Sequence, residues 1–301
     1  MSLLRGLNDS ALAPFPSATP YLAPRRAIPG SQLKPAPVQP QDWMGALDPS
    51  LRLDALTIPG THNSGATRGG RWVACQSRPV RAQLDAGARY LDIRVRHHRG
   101  SFRIHHNQFF QRLTLDEVLE ACQDFLQAHP TESVLLCLTQ EYSRSDAAEL
   151  ARTWARIRSR FRGLLRDSRR VPTLAQARGQ VVVVTRSAGF AGLDHRAWQV
   201  CDDWRIDTRR VWDERKWPGV TDHLRRARAA RGDGRMWSVH ASSNGLRLTP
   251  ADAARRLEPA LTTHFDELPV RGQGGEPERN GVVLLDFLSD EQSAQLWRRN
   301  L

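Results

Sequence analysis

Between Thr57 and His106 three short apolar, β-prone runs, TIPGTHNSGA, GARYLDIRVRHH and FRIHH, each end in a histidine or an arginine. Polar side chains at strand ends are where α/β enzymes place their chemistry. Two imidazoles and one guanidinium suit the transfer of a phosphodiester. One imidazole removes a proton from the attacking hydroxyl, the other protonates the departing oxygen, and a fixed cation holds the charge that builds on phosphorus. The assignment these residues favour is His62 as base, Arg94 as clamp and His106 as acid. Gly60 permits the tight turn ahead of His62. Asp92, two residues before Arg94, shares its strand face and can orient it.

The elements that must position these residues follow from periodicity. LDALTI reads as a strand and PVRAQLDAG as a helix; RYLDIRV and FRIH read as strands. Thr114 with Glu117 three residues on forms a capping box that opens a helix over TLDEVLEACQDFLQAH. SVLLCLTQ is a buried strand and Asp146 to Leu165 an amphipathic helix. VVVVT and QVCDDW are strands, Val220 to Arg231 a helix, MWSVHA a strand, Pro250 to Leu268 a helix, VVLLDFL a strand and Glu291 to Asn300 the last helix. Strands that are apolar on both faces, alternating with helices, call for a parallel sheet covered by helices. Seven or eight of them over this length fit a closed barrel better than an open sheet. In a barrel the polar residues after each run, His62, Asp92 with Arg94, His106, Glu141, Arg186, Asp202 and Asp286, converge on one rim. His97 and His98 read as surface residues in a turn before Gly100, and RGQGGEPERNG, from Arg271 to Gly281, as a surface loop.

Composition sets bounds. With 301 residues and 40% hydrophobic content the chain can build a real core. The net charge of +12 is carried almost wholly by arginine, with lysine only at Lys34 and Lys216. The bias toward arginine reads first as nucleotide composition of the genome, and its functional reading is attraction to anionic phospholipid or nucleic acid. Nucleic-acid binding is not expected, because no basic stripe is interleaved with stacking aromatics. Cys75, Cys122, Cys137 and Cys201 show no metal-ligand spacing and imply no disulfide framework. Residues 1–41 are rich in Pro, Ala and Ser without periodicity and read as a flexible leader; residues 42–301 read as one catalytic domain. No run reaches the length of a membrane span, and the N-terminus lacks the apolar core of a signal peptide. The expected location is peripheral to membranes, either exported without a cleaved signal or cytoplasmic, and the expected state is monomeric.

IPGTHNS, GARYLDIR, and a histidine followed by TLDEVLEACQDFLQAHPTESVLLCL resemble the X domain of phosphatidylinositol-specific phospholipase C, bacterial metal-independent type. The likeness runs from about Trp43 to Leu301 and is more specific in its first half. It implies a distorted (β/α)8 TIM-like barrel in a single domain. It also implies a lyase that cleaves phosphatidylinositol, or a glycosylphosphatidylinositol, at a membrane surface. Its products are diacylglycerol and inositol 1,2-cyclic phosphate, with slow hydrolysis of the cyclic ester afterwards. On that resemblance His62 takes the proton of the inositol 2-hydroxyl and His106 is the general acid. Asp286 pairs with the base, Arg94 holds a phosphate oxygen, and Asp92 orients Arg94. Arg186, Asp202 and Trp204 meet the inositol, with Glu141 a weaker candidate. Asn63 stands where relatives carry an aspartate that assists the acid, which implies a lower pKa for His106.

No metal is expected: Arg94 and Thr139 replace two acids that calcium-dependent relatives use as ligands, and a guanidinium there supplies the positive charge instead. The competing readings are a metal-dependent glycerophosphodiesterase or sphingomyelinase D-like phosphodiesterase, for which DIR offers only one acid, and a catalytically weak phosphoinositide-binding barrel.

Overall fold

Alternating burial along the strands decides which side chains meet inside and which meet the helices. The computed structural model describes residues 37–143, 145–268 and 277–301. Its first half comprises β1 (Thr57–Thr61), α1 (Val80–Asp85), β2 (Tyr90–His98), β3 (Ser101–His106), β4 (Phe109–Thr114), α2 (Leu115–Ala128), β5 (Val134–Gln140) and α3 (Ala147–Arg160). There follow β6 (Leu165–Arg166), α4 (Leu174–Ala177), β7 (Val181–Thr185), β8 (Leu193–Asp194), β9 (Gln199–Cys201), α5 (Arg209–Val211), α6 (Trp217–Ala229), β10 (Trp237–His240), α7 (Pro250–Asp266), β11 (Gly281–Leu285) and α8 (Asp290–Trp297). The hydrogen-bonded path runs β6-β7-β5-β2-β1-β11-β10-β9, with β8 on the outer edge of β7, and every pair in it is parallel. Among the described residues no pairing joins β8 to β9, so the expected barrel is present but distorted and open along one seam.

Inward and outward rows are cleanly separated. Leu91, Ile93 and Val95 of β2, Leu136 and Leu138 of β5 and Val181 and Val183 of β7 face outward onto Leu119, Phe125, Trp154 and Ile157 of α2 and α3. Their neighbours Tyr90, Leu135, Cys137, Val182, Val184, Val282 and Leu284 fill the interior with Ile58. Gly60 belongs to the inward row: a Cβ there would come within 3.1 Å of Val282 and 3.2 Å of Tyr90. A larger residue would force the strand carrying His62 off the sheet.

Several expectations need correction. The strand read from LDALTI is a 3-10 turn over Leu53–Ala55 followed by β1, because Asp54 is drawn to Arg52 and the Leu53 amide donates to Pro172. FRIH is not a parallel barrel strand. β2 runs past the sheet, turns at Arg99 and Gly100, both at positive φ, and returns antiparallel as β3, which pairs with β4. α3 ends at Arg160 rather than Leu165, since Gly163 adopts a positive φ and Leu165 joins the sheet against Val181. His97 is not a surface residue: it is buried against Phe102, with its ring nitrogens 2.6 Å from Ser145 Oγ and 2.9 Å from Thr153 Oγ1.

The expected leader lies outside the described residues as far as residue 36. Pro40 and Gln41, at its end, are bound: their carbonyls accept from Arg89, whose guanidinium also pairs with buried Glu132 at 2.8 Å. Glu132 in turn accepts from the amides of Met44 and Gly45, so one buried ion pair fixes the segment that closes the barrel floor. Residues 271–276 of the expected surface loop are likewise outside the described residues. Its end is core: Arg279 bonds Asp233, and Asn280 bonds Thr57.

Candidate active site

Each inward row changes from apolar to polar as it reaches the C-terminal edge of the sheet. Ile58 and Gly60 lead to His62; Tyr90 leads to Asp92 and Arg94; Cys137 to Thr139; Val184 to Arg186; Leu284 to Asp286. A period of two makes these positions share a face. They open into a cavity of about 520 Å³ lined by His62, Asn63, Arg94, His106, Thr139, Glu141, Arg186, Asp202, Trp204 and Asp286, among others. Asp92 lies directly beneath, buried. The sequence-predicted site residues are therefore together in space.

His62 is held in one tautomer. Its Nε2 faces Nη2 of Arg94 at 3.2 Å and Nδ2 of Asn63 at 3.2 Å, two donors, so Nε2 carries the lone pair. Nδ1 therefore holds the proton and donates it to Asp286 Oδ1 at 2.8 Å. An imidazole with its free lone pair toward the cavity and a carboxylate behind is arranged as a base. The adjacent Asn63 is at φ +43°, a left-handed conformation in which its amide N–H reaches Asp92 Oδ2 at 3.1 Å.

Arg94 is clamped from two sides, by Asp92 Oδ2 at 3.4 Å and Glu141 Oε1 at 3.1 Å. Burial alone would oppose its charge, but the two carboxylates outweigh this and keep the guanidinium firmly protonated. Burial likewise works against ionised Asp92; Arg94 and the nearby imidazoles prevail and hold its carboxyl far below the usual range. Glu141 bonds Arg94 and also lines the cavity.

His106 differs from expectation in its support. Asn63 points to His62 and, at 3.7 Å, to the Cys75 sulfur, not to His106. The acid's own partner is the Val73 carbonyl, 2.6 Å from Nδ1, which fixes the proton there and leaves Nε2 as the second nitrogen. Burial lowers the His106 pKa below its ordinary 6.5, and the Val73 hydrogen bond offsets this only in part. The direction matches the sequence reading, but the cause is desolvation. His105, on the opposite face of β3, packs on Phe110 instead.

Arg186 and Asp202 stand 3.6 Å apart on the far wall, and the exposed Trp204 indole lines the mouth. Asn63 Oδ1, Asp92 Oδ1, Arg94 Nε, Thr139 Oγ1 and Glu141 Oε2, in and beneath the cavity, have no hydrogen-bond partner in the protein. A cavity so lined is suited to a polyhydroxylated ligand.

Several residues at the site escaped the sequence reading, among them His240 and Cys75. His240 is fully buried, edge-on to His62 with ring centroids 5.8 Å apart, and its Nδ1 lies 3.8 Å from Asp202. It follows an apolar strand just as His62 does, so the strand-end rule would have found it. Cys75, in the loop after β1, is buried beside both catalytic candidates, and no spacing signal marks it.

Calcium does not fit this arrangement. It needs six to eight oxygen ligands, and the two carboxylates here flank a guanidinium, each bonded to it through one oxygen, so a second cation would meet the charge of Arg94.

The fold and this constellation define an α/β barrel with two histidines and one arginine lining a single cavity. Comparison with known proteins agrees. Residues 51–187 match the family model "Phosphatidylinositol-specific phospholipase C, X domain". The chain is 23% identical over 285 residues to the 1-phosphatidylinositol phosphodiesterase of Listeria monocytogenes, covering 87% of this chain and 86% of that one. It is 25% identical over 162 residues to the enzyme of the same name from Staphylococcus aureus, where the match spans 50% of this chain and 52% of the relative. The solved phosphatidylinositol-specific phospholipase C of Listeria monocytogenes superposes with a TM-score of 0.73 at 21% identity, over 88% of this chain and 100% of that one, a likeness of fold.

Proposed function

We propose that the protein is a phosphatidylinositol-specific phospholipase C that cleaves the lipid phosphodiester by attack of the inositol 2-hydroxyl. The carrying observation is the lone pair of His62 Nε2, held 3.2 Å from Arg94 Nη2 in a cavity that also presents His106. His62 takes the hydroxyl proton as the oxygen attacks phosphorus, and Asp286 stabilises the imidazolium that forms. Arg94 holds the negative charge gathering on the non-bridging oxygen. His106 gives its proton to the lipid oxygen, so diacylglycerol leaves and inositol 1,2-cyclic phosphate remains. Arg186, Asp202 and the Trp204 face hold the inositol ring. Turnover needs no metal, because Arg94 supplies the positive charge at phosphorus.

The chain acts at a membrane surface, on phosphatidylinositol or its glycosylated forms. Trp72, Phe109, Phe110, Tyr142, Trp204 and Leu246 are exposed in the loops and hairpin that follow the C-terminal ends of the strands, and Trp204 lines the cavity. No helix among the described residues is long and apolar enough to cross a membrane. Phosphorus NMR of phosphatidylinositol vesicles, with and without chelator, tests the reading. A cyclic phosphate formed equally in both supports it; turnover that disappears in chelator and returns with calcium or magnesium overturns it.

A further inference from the structure

Behind the substrate cavity His62, Cys75 and Asp286 converge. One imidazole nitrogen, one sulfur and one carboxylate oxygen from them lie within 4.8 Å of one another. The Cys75 sulfur also lies 3.9 Å from His106 Nδ1, and the residue is turned away from solvent. Zinc bonds of about 2.3 Å to sulfur and about 2.0–2.2 Å to nitrogen or oxygen put neighbouring donors roughly 3.3–3.7 Å apart in a tetrahedral site. Side-chain shifts of about 1 Å would reach that spacing. A set of nitrogen, sulfur and oxygen is the wrong one for calcium and the right one for a thiophilic divalent cation. Asp286 offers the ion a carboxylate, and Cys75, a buried thiol, becomes an anion only by losing its proton as the metal binds.

We propose that this cluster is an inhibitory site for a thiophilic divalent cation such as zinc. His62, Cys75 and Asp286 are its ligands, with water in the fourth position. On binding, the Cys75 S–H bond gives way to a sulfur–metal bond and its proton leaves to solvent, while the proton on His62 Nδ1 shifts to Nε2 and frees Nδ1 for the ion. The ion takes a lone pair of the base and the carboxylate that supports it, so turnover stops while the fold is kept. The ion is an inhibitor and takes no part in turnover. The inhibition rests on the phospholipase reading above; the binding does not.

The test uses the full chain freed of metal by dialysis against chelator, then titrated with cobalt as a spectroscopic probe and with zinc by calorimetry. Uptake of one ion with a thiolate-to-cobalt charge-transfer band is expected. Cys75→Ala loses the band and weakens zinc binding by more than the roughly 10–100-fold that losing an outer partner costs. Cys122→Ser, whose thiol lies in the outer core, keeps both. Phosphatidylinositol turnover, followed in parallel, stops with zinc and returns with chelator. No band in the unsubstituted chain overturns the site whatever the variants do, and so does equal zinc affinity in Cys75→Ala. Zinc uptake with undiminished turnover overturns the inhibitory role. Absence of turnover before any metal is added sinks the phospholipase reading, and the cobalt and zinc titrations then decide the site by themselves.

Discussion

At the scale of the residue, His62 depends on the carboxylate behind it. Asp286→Asn removes the charge that supports the imidazolium and favours the wrong tautomer. It is expected to lower kcat by about 10²–10⁴-fold with little change in KM, measured by steady-state kinetics on phosphatidylinositol. His106 acts in its protonated form, and burial lowers its pKa. The acid form is therefore lost as pH rises through a value below 6.5, and the alkaline limb of the kcat/KM profile is expected to begin on the acid side of that figure. Asn63→Asp distinguishes the two placements of residue 63. Since its amide meets His62 Nε2, a carboxylate there favours protonated His62 and moves the acid limb to higher pH. A shift of the alkaline limb alone would restore Asn63 to His106, as the sequence resemblance had it. The identities of His62, Arg94 and His106 were legible because each closes an apolar run. The partner of His106 was not, since it is the backbone carbonyl of Val73, and a main-chain oxygen carries no sequence signature.

At the scale of the element, the site is set by where strands end and how their loops are braced. The segments after β9 and β10 carry Asp202, Trp204 and Ser243, and both are tied by one buried cation. Lys216 donates to the carbonyls of Asp203 at 2.9 Å, Ser242 at 3.0 Å and also His240. Burial pushes its pKa down to about 8. Lys216→Met leaves three carbonyls without a donor and is expected to cost about 1–3 kcal/mol in denaturant unfolding. KM should rise more than kcat falls, because the loosened loops hold the wall of the cavity rather than His62. An unchanged unfolding midpoint would show that the brace is not needed. Strand and helix order was readable from periodicity. The antiparallel return of β3 was not, for FRIH is apolar enough to pass as a barrel strand and only its pairing with β2 and β4 shows its direction.

At the scale of the whole molecule, the aromatic rim and the charge of +12 belong together. Rim residues that insert at the headgroup level add apolar contact, and the surplus of arginine adds a screened attraction to anionic lipid. Trp72→Ala with Leu246→Ala is expected to weaken partition onto phosphatidylinositol-containing vesicles by roughly tenfold or more in a sedimentation assay. Turnover of a soluble, short-chain substrate should change little. Raised salt should weaken vesicle binding of the doubly substituted chain and of the original by the same factor, because apolar and charged contributions add in free energy. Equal losses with soluble and vesicular substrate would place those residues in catalysis instead of at the interface.

The sequence by itself determined the alternating strands and helices, the rim on which polar residues gather, and the types of group available there. Those follow from local period and from the cost of burying a polar side chain without a partner. Only the tertiary structure decided that Cys75 stands between the two imidazoles, that His240 backs the base, and that Glu141 turns to Arg94. These pairings join loops far apart in the chain, and what fixes them is the register of parallel strands and the packing of the barrel interior, which no local pattern encodes.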